Sequence, residues 1–401
     1  MFRIPSHFLA AFLAICIGTG LAAAQSTSST GTSSVTIIPV SPAAYVYVSS
    51  GHSGETTGHI YGYVAVQDGE LTPIPGTPLA SSLVGPLALN GKWLFGGVNL
   101  GGADEAGKYA IDSYRIAANG SIAPADTYTA TAPDSEEPQY LFMDHTGTSL
   151  YASMTTSNED QGFRSFRIDQ TNGKITPVSY LATGVGENGV LAFIGNNNFG
   201  YNASCFHFSR DIARFARESD GALSSPGIGP LPPAGPPHYA YCPDATAADP
   251  SNHVVISMEQ MPEDGGTFDG FKLAVYTANE DNGDLSTTST YKNMATSQVK
   301  PDVLAMSTGG AFLAAAGGVY TGPGHGLQVF RMHGAEPLTA FSGVLIPGVD
   351  AIGLFWDKYD HLYLLGTDKL YVFSVTESGV KQAPGSPYSI PYPTGLVVLP
   401  K

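Results

Sequence analysis

The amino-acid sequence predicts an all-β protein, a seven-bladed β-propeller of four-stranded antiparallel blades that is closed by its C-terminal strand. Three observations predict this fold: a strand–turn–strand pattern that recurs seven times, a high glycine and proline content, and a final strand that completes the first repeat. The 401 residues include 48 glycines and 29 prolines, and long stretches of strong helix formers are missing. An apolar share of 43% is ample for a buried core.

The repeat consists of short strands rich in Tyr, Phe and Val that lead into a tight turn, most often Asn-Gly or Asp-Gly. These turn residues accept positive φ, so the pattern is the strongest local signal for a β-hairpin. Each repeat has one such turn, with the glycines Gly69, Gly120, Gly173, Gly221, Gly283, Gly334 and Gly379. An earlier strand precedes each hairpin, and most repeats open with one more strand near a Pro or His. Seven four-stranded units of about 54 residues are typical of propeller blades.

The two ends of the chain complement each other in this pattern. The first repeat begins at its second strand, residues 44–47, whereas residues 393–399 match the opening strand of the other repeats. We therefore expect the C-terminal strand to pair with the strand around Tyr45. This pairing would remove exposed sheet edges and make residues 43–401 a single domain.

Residues 1–24 have the features of a cleaved signal peptide. Arg3 supplies the positive charge, an apolar stretch follows, and Ala22 and Ala24 fit the small-residue pattern before a cleavage site. A membrane anchor is the alternative, but the apolar run is short for a span and contains glycines. The Ser/Thr-rich residues 25–42 are predicted to be a flexible leader. The sequence thus predicts an exported protein, periplasmic or extracellular, without a membrane span.

Charge and cysteine content narrow the partners and the compartment. Acidic residues outnumber basic ones by 34 to 18, for a formal net charge of −16. Such a surface repels phosphate backbones, which argues against nucleic acid as a partner. Beyond the signal peptide the chain has two cysteines, Cys205 and Cys242. An oxidising compartment would allow a disulfide between them, and two buried thiols are the alternative.

Polar residues near the predicted channel mouth are the candidates for a site. In a propeller, the start of the first strand and the end of the second strand of each blade lie at one mouth, where ligands bind. The candidate ligand-binding residues at or near these positions are His52, Glu159, His207, Asp302, His325 and Asp350. His238 and Glu259 are the candidate catalytic pair, because they occupy both positions of one blade. For each residue alone, a solvated place on a rim loop is the alternative.

The sequence predicts no cofactor and no metal ion. It contains neither an H-E-x-x-H motif nor paired C-x-x-C motifs, so zinc is unsupported. The acidic segment 279–284 is a hairpin turn of the repeat and lacks the ligand spacing of a calcium loop. A G-x-S-x-G motif is also absent from the sequence.

Two repeats carry a likeness to a known family. The first is YVYVSSGHSGETTGHIYGYVAVQDGELTPI; in the fifth, Gly235-Pro236-Pro237-His238 precedes Pro243-Asp244 and a strand ending in Glu259. The chain resembles the seven-bladed lactonase family, whose best-known members are 6-phosphogluconolactonase-like. The resemblance implies that His238 and Glu259 occupy the family's site positions. Pro237 stands where the family has Arg, a clamp for phosphate or an oxyanion, so a neutral lactone is a better expected ligand than a phosphorylated one.

Two functions follow as expectations. The first is a secreted, monomeric scaffold that binds a small molecule such as a lactone, or a glycan or protein partner, at the channel mouth. The alternative is a hydrolase that opens a neutral sugar-type lactone, in which Glu259 or His238 activates water and the other residue helps to stabilise the oxyanion. We rank binding first, because the family's arginine is missing and export does not suit a cytosolic sugar-phosphate pathway.

Overall fold

A computed structural model describes most of the chain from residue 41 onwards. The described residues are 41–51, 57–82, 85–99, 109–130, 138–155, 161–183, 189–206, 209–233, 235, 239–262, 270–318 and 324–401. Within these ranges no helix is long and apolar enough to cross a membrane. The predicted signal peptide, residues 1–24, and nearly all of the leader, residues 25–42, lie outside the described ranges, so both stay predictions.

The described strands form seven antiparallel sheets, which are the blades of the ring. Blade 1 contains β1 (Ala44–Ser50), β2 (Gly58–Ala65), β3 (Leu71–Pro73), β4 (Leu79–Ser81) and the C-terminal β31 (Pro393–Pro400). Blade 2 contains β5 (Leu87–Leu89), β6 (Trp93–Asn99), β7 (Tyr109–Ile116) and β8 (Ile122–Thr129). Blade 3 contains β9 (Pro138–Met143), β10 (Ser149–Thr155), β11 (Gln161–Ile168) and β12 (Ile175–Ala182). Blade 4 contains β13 (Ala192–Phe193), β14 (Phe199–Phe206), β15 (Ser209–Arg217) and β16 (Leu223–Gly229).

The remaining three blades follow the same order along the chain. Blade 5 contains β17 (Tyr239–Ala248), β18 (His253–Pro262), β19 (Gly270–Ala278), β20 (Leu285–Ser286) and β21 (Ala295–Ser297). Blade 6 contains β22 (Val303–Met306), β23 (Phe312–Ala316), β24 (Leu327–His333) and β25 (Glu336–Ala340). Blade 7 contains β26 (Ala351–Trp356), β27 (His361–Gly366), β28 (Lys369–Thr376), β29 (Gly379–Gln382) and β30 (Tyr388–Ser389). The predicted seven-bladed propeller is confirmed.

Ring closure by the C-terminal strand is also confirmed. β31 pairs antiparallel with β1, with Tyr45 opposite Leu399 and Val48 opposite Leu396. The innermost strand of blade 1 therefore comes from the opposite end of the chain, and the sheet edge that β1 would otherwise expose is covered.

The hydrophobic core lies between the blades. The buried apolar residues of the described ranges form seven clusters, and each cluster joins two neighbouring blades. Strand β1 shows how this arises: Val46 and Val48 pack towards blade 7, whereas Tyr45 and Tyr47 pack towards blade 2. Side chains alternate across a strand, so inner strands buried on both faces read as almost uninterrupted apolar runs.

Several of the seven hairpin turns also pack closely against the neighbouring blade. All seven turn glycines have positive φ, from 63° at Gly334 to 143° at Gly379. At Gly173, a Cβ atom would lie 2.6 Å from the ring of Trp93, which begins the second strand of the preceding blade. Gly120 stands in the same relation to Tyr45, and Gly283 to Phe199. Glycine at these turns thus allows both the positive φ and the close approach to the preceding blade.

The outermost strand differs from the prediction in three blades, where two short segments replace one strand. In blade 1, β3 and β4 both pair with β2. In blade 5, β20 and β21 both pair with β19, and in blade 7, β29 and β30 both pair with β28. The interrupting segments, Ile-Pro-Gly-Thr-Pro at 74–78 and Ala-Pro-Gly-Ser-Pro at 383–387, are alike. Proline has no N–H to donate to the ladder, which explains the break in the outer strand of blades 1 and 7.

Candidate functional site

Charged side chains from blades 5 and 6 meet at the predicted mouth of the channel. Glu259 lies towards the end of β18, directly opposite Cys242 of β17 in the ladder. Lys300 and Asp302 lie in the segment that leads into β22, the innermost strand of blade 6. Lys300 and Asp302 lie 41 and 43 positions after Glu259 in the chain, and they converge with it because the end of β18 and the start of β22 share one mouth of the channel.

Lys300 is the centre of this cluster. Its Nζ atom lies 2.8 Å from Oδ1 of Asp302 and 3.2 Å from Oε1 of Glu259. The Lys300 side chain is 26% exposed, whereas those of Glu259 and Asp302 are 6% and 12% exposed. Burial alone would lower the pKa of Lys300, but the adjacent carboxylates of Asp302 and Glu259 outweigh it and raise the pKa above its ordinary value. Lys300 is therefore a permanent cation.

Asp244 adds a third carboxyl group to the cluster. Its surroundings favour the uncharged form, whereas those of Lys300 favour the charged form. Burial raises the pKa of Asp244 well above its usual value, and the charge of Asp302, a hydrogen bond with that carboxyl group and the charge of Glu259 raise it further. Lys300 lowers the pKa of Asp244, but by less. The raised pKa favours the protonated form of Asp244, and a protonated carboxyl group can donate a hydrogen bond to the carboxyl group of Asp302.

A β-bulge directs Asp244 to this place. The pairing of β17 with β18 shifts register between Pro243 and Thr246, so Asp244 falls outside the regular alternation. The hydroxyl group of Ser257 accepts a hydrogen bond from the backbone N–H of Ala245 at 2.8 Å and stabilises the bulge. Bulges of this kind re-aim a side chain from its ordinary face of the sheet.

The three carboxyl groups have the composition of a cation site. Asp244, Glu259 and Asp302 each present an oxygen within 4.8 Å of the others. Hard divalent ions favour such oxygen ligands. The ammonium group of Lys300 already lies in contact with two of them, so the lysine supplies the positive charge that an ion would otherwise bring.

The glycine-rich loop after β23 fixes the position of Asp302. The backbone N–H of Gly318 donates a hydrogen bond to Oδ2 of Asp302 at 2.8 Å. A Cβ atom at residue 318 would lie 3.0 Å from the Cβ of Asp302, so the loop needs glycine for this approach. Further along the loop, the carbonyl oxygen of Gly324 accepts a hydrogen bond from the backbone N–H of Lys300 at 2.8 Å. One loop thus holds both Lys300 and Asp302.

His325 and Asp350 form a second polar pair at the mouth. Nδ1 of His325, in the same loop, contacts Oδ1 of Asp350, which directly precedes β26. Each side chain is 30% exposed, so the pair is open to solvent. The backbone N–H of Ala351 also donates to the carbonyl oxygen of Gly317 at 2.7 Å, and this bond ties the start of blade 7 to the loop.

A disulfide lies beside the carboxyl cluster. Cys205 of β14 is bonded to Cys242 of β17, with 5.1 Å between the Cα atoms. The bond joins blade 4 to the innermost strand of blade 5, two residues before Asp244. It therefore anchors the part of β17 that carries the bulge.

The structure accounts for four of the eight residues predicted for the site. Glu259 and Asp302 meet through Lys300, and His325 pairs with Asp350. His52, Glu159, His207 and His238 lie outside the described residues, so the predicted pairing of His238 with Glu259 stays a prediction. Asp244 stands in the Pro243-Asp244 element of the family likeness but was not predicted to belong to the site, and Lys300 was not predicted at all. Lys300 supplies an ammonium group to this cluster, although Pro237 stands at the sequence position of the family's arginine.

Together these groups offer three chemical capacities at one place. The raised pKa of Asp244 favours its protonated form, Glu259 presents a carboxyl oxygen next to the ammonium group of Lys300, and Lys300 is a cation. Strongly shifted pKa values and mixed acid, base and cation groups are typical of functional sites. The cluster nevertheless has more negative than positive groups, which disfavours an anionic ligand.

Comparison with known proteins supports the fold. No model of a known protein family and no curated protein matches the chain. The periplasmic gluconolactonase PpgL of Pseudomonas aeruginosa is similar in structure, with a TM-score of 0.62 and 16% identity over 89% of this chain and 99% of that one. A candidate 6-phosphogluconolactonase of Bacteroides uniformis has a TM-score of 0.64 and 12% identity over the same shares. At these identities the likeness shows the fold, and the resemblance predicted from the sequence is confirmed at that level.

Proposed function

We propose that this protein is an exported hydrolase that opens a neutral, sugar-type lactone at the channel mouth. One observation carries the proposal: Asp244, whose pKa is raised, Glu259 and the cation Lys300 meet in a single cluster. The fold shared with a periplasmic gluconolactonase makes a sugar lactone the first substrate to test. The signal-like residues 1–24 and the Cys205–Cys242 disulfide support action after export, because disulfides persist in oxidising compartments.

Each group has a distinct role in the proposed reaction. Glu259 takes a proton from water as the water oxygen attacks the ring carbonyl carbon. Lys300 stabilises the negative charge that develops on the carbonyl oxygen. Its ammonium group has three N–H donors, and one of them remains for this oxygen beside the two carboxylate partners. Asp244 gives its proton to the ring oxygen as the carbon–oxygen bond breaks. Afterwards Glu259 releases to solvent the proton that it took from water, and Asp244 regains a proton from solvent. The product is the open hydroxy acid.

The charge of the cluster determines the substrate class. Glu259 and Asp302 together carry more charge than Lys300 neutralises, so a phosphate group would be repelled at short range. A neutral lactone meets no such repulsion before the reaction. The negative charge appears only in the transition state, next to Lys300, which is where stabilisation accelerates the reaction.

The test is hydrolysis of a panel of aldonolactones by the mature chain, with the spontaneous rate subtracted. We expect Glu259→Gln and Lys300→Met each to lower kcat/KM by about 100-fold or more, since a general base or an oxyanion donor contributes on this order. Glu336→Gln, at an exposed glutamate of the outer strand β25, is the matched control and should keep the full rate. Equal rates in all variants would refute the assignment.

The pH profile provides a further test of Asp244. Because its pKa is raised, the carboxyl group keeps its proton at pH values where an ordinary aspartate is ionised. The rate should fall as the pH rises through this raised pKa, because the acid form is lost. Asp244→Asn should be slow at every pH and should lack this alkaline limb. A wild-type limb that persists in Asp244→Asn would assign the acid to another group.

Ligand binding without turnover is the second candidate function. It is favoured by the ion pairs of Lys300, because an ammonium group held by two carboxylates has less charge to offer an oxyanion. A small molecule or a glycan that raises the melting temperature of the mature chain, together with the absence of hydrolysis across the panel, would establish this function instead.

A further inference from the structure

The residues that directly precede the innermost strands of blades 6, 7 and 1 lie near the channel mouth, because each of these strands begins there. In blades 6 and 7 this residue is Asp302 and Asp350, before β22 and β26. In the next blade of the ring it is Tyr392, directly before β31. Asp302 and Asp350 belong to the site described above, whereas Tyr392, in the next blade around the ring, is aromatic.

Tyr392 has an unfavourable backbone conformation. Its φ is 45°, in the left-handed region that bulky side chains rarely adopt. It also lies between Pro391 and Pro393, and a residue that precedes proline is further restricted. The surrounding structure imposes the conformation: the backbone N–H of Gly51 donates to the carbonyl oxygen of Tyr392 at 3.0 Å, and the hydroxyl group of Ser50 donates to the carbonyl oxygen of Pro391.

The Tyr392 side chain is 64% exposed, so the strain does not serve the core. Asparagine or glycine would occupy this backbone position at lower cost. Strained residues held in place by their surroundings cluster at functional sites. A rigidly presented aromatic ring also loses little conformational entropy when a ligand covers it.

We propose that Tyr392 is a specificity-determining residue that stacks on a neutral pyranose ring, and that the ligand is an oligosaccharide whose lactone end reaches Glu259 and Lys300. This proposal rests on the proposed function for its lactone end. Blade 7 separates Tyr392 from Asp302, and packed sheets lie about 10 Å apart, a span that exceeds one sugar ring. The apolar face of a pyranose fits an aromatic ring, while its hydroxyl groups fit the polar pair of His325 and Asp350 between the two ends.

The first experiment measures binding without turnover. Cellotriose, maltotriose and laminaritriose, which have no lactone to open, are titrated into the mature chain and into Tyr392→Asn, and binding is followed by saturation-transfer NMR. We expect at least one trisaccharide to bind the wild type and Tyr392→Asn to bind it about ten-fold more weakly, the effect of roughly one aromatic contact. Tyr359→Asn, at an exposed tyrosine in the turn between β26 and β27, is the matched control and should bind normally.

The melting temperature separates a ligand contact from a structural role. Asparagine tolerates the left-handed conformation, so Tyr392→Asn should melt at the wild-type temperature or about 1–3 °C above it. Weaker binding with unchanged or higher stability supports the proposal. A melting temperature several degrees lower, equal binding by wild type and variant, or no binding of any trisaccharide would each overturn it.

Turnover distinguishes this proposal from the proposed function. On lactones of oxidised trisaccharides Tyr392→Asn should lose about ten-fold in kcat/KM, whereas on a single-ring aldonolactone it should match the wild type. An equal loss on both substrates would contradict the role of Tyr392. If the wild type opens no lactone but binds a trisaccharide through Tyr392, the proposed hydrolysis fails and the sugar contact remains.

Discussion

At the scale of single residues, hydrogen bonds stabilise a carboxylate that the protein buries completely. Asp357 of blade 7 is fully buried and accepts four hydrogen bonds, from the backbone N–H groups of Tyr359 and His361, the ring of His361 and the hydroxyl group of Tyr363. Burial alone would raise the pKa of Asp357, but the contacts with His361 outweigh it and lower the pKa. The carboxylate form of Asp357 is therefore favoured, in contrast to Asp244 at the mouth, whose raised pKa favours the protonated form.

The lowered pKa of Asp357 leads to a prediction on acid stability. A carboxyl group whose pKa is lower in the folded than in the unfolded protein stabilises the fold above its unfolded pKa of about 4, and this contribution disappears as the pH falls through the folded pKa. Asp357→Asn should cost about 3 kcal/mol of unfolding free energy at pH 7, because a buried network loses its charge. Denaturant unfolding from pH 7 downwards should show the gap to wild type shrinking in acid.

The control for this prediction is Asp368→Asn, at a mostly exposed aspartate of the same blade. Its effect should be small at every pH, since exposed ion pairs contribute little. A gap between Asp357→Asn and wild type that stays constant into strong acid would show that the Asp357 charge does not contribute.

At the scale of elements, the hairpin turn is the unit that the sequence specifies best. All seven turn glycines were predicted from Asn-Gly, Asp-Gly and related pairs, and all seven have positive φ. The outer strands were predicted less well, because two short segments that share one partner strand have no distinct local pattern. The recurrence of Pro-Gly-Thr-Pro and Pro-Gly-Ser-Pro was the available signal for the breaks in blades 1 and 7.

The contact between turn and neighbouring blade can be separated from backbone strain. Gly173 and Gly76 have similar φ values of 76° and 87°, but a Cβ at Gly173 would clash with Trp93, whereas a Cβ at Gly76 would meet nothing within 4 Å. Both alanine variants lose about 1–2 kcal/mol to the left-handed backbone. Gly173→Ala should lose a further 1–3 kcal/mol, roughly, to overpacking. Urea unfolding of the two variants measures the difference, and equal stabilities would contradict the packing role of this turn.

At the scale of the whole molecule, stability depends on closing the ring. Leu396 and Val398 of β31 pack in the cluster between blades 7 and 1, and Val397 and Leu399 pack in the cluster between blades 1 and 2. Each buried side chain of this size contributes about 1.5–3 kcal/mol, and four together approach the whole stability of an ordinary protein. Removing residues 393–401 should therefore unfold the chain, whereas removing Lys401 alone should not.

A circular permutant tests closure without removing contacts. The backbone N–H of Lys401 donates to the carbonyl oxygen of Ala43 at 2.9 Å, so a short linker can join residue 401 to residue 41. The permutant, which begins at Pro393 and ends at Tyr392, should fold with near wild-type stability by circular dichroism and denaturant unfolding. Failure of the permutant to fold would show that chain order, and not the pairing of β31 with β1, determines stability.

The sequence by itself determined the repeat, the number of blades, the turn positions and the closing strand. These features follow from local chemistry: which residues accept positive φ, and which alternate between two buried faces. The tertiary structure alone decided that Lys300 lies between Glu259 and Asp302, and that Asp244 turns into the same place. Strand order could indicate which ends share a mouth, but a bulge at Pro243 and a loop anchored through Gly318 direct the side chains. Those directions depend on contacts between blades, which no local pattern in the sequence records.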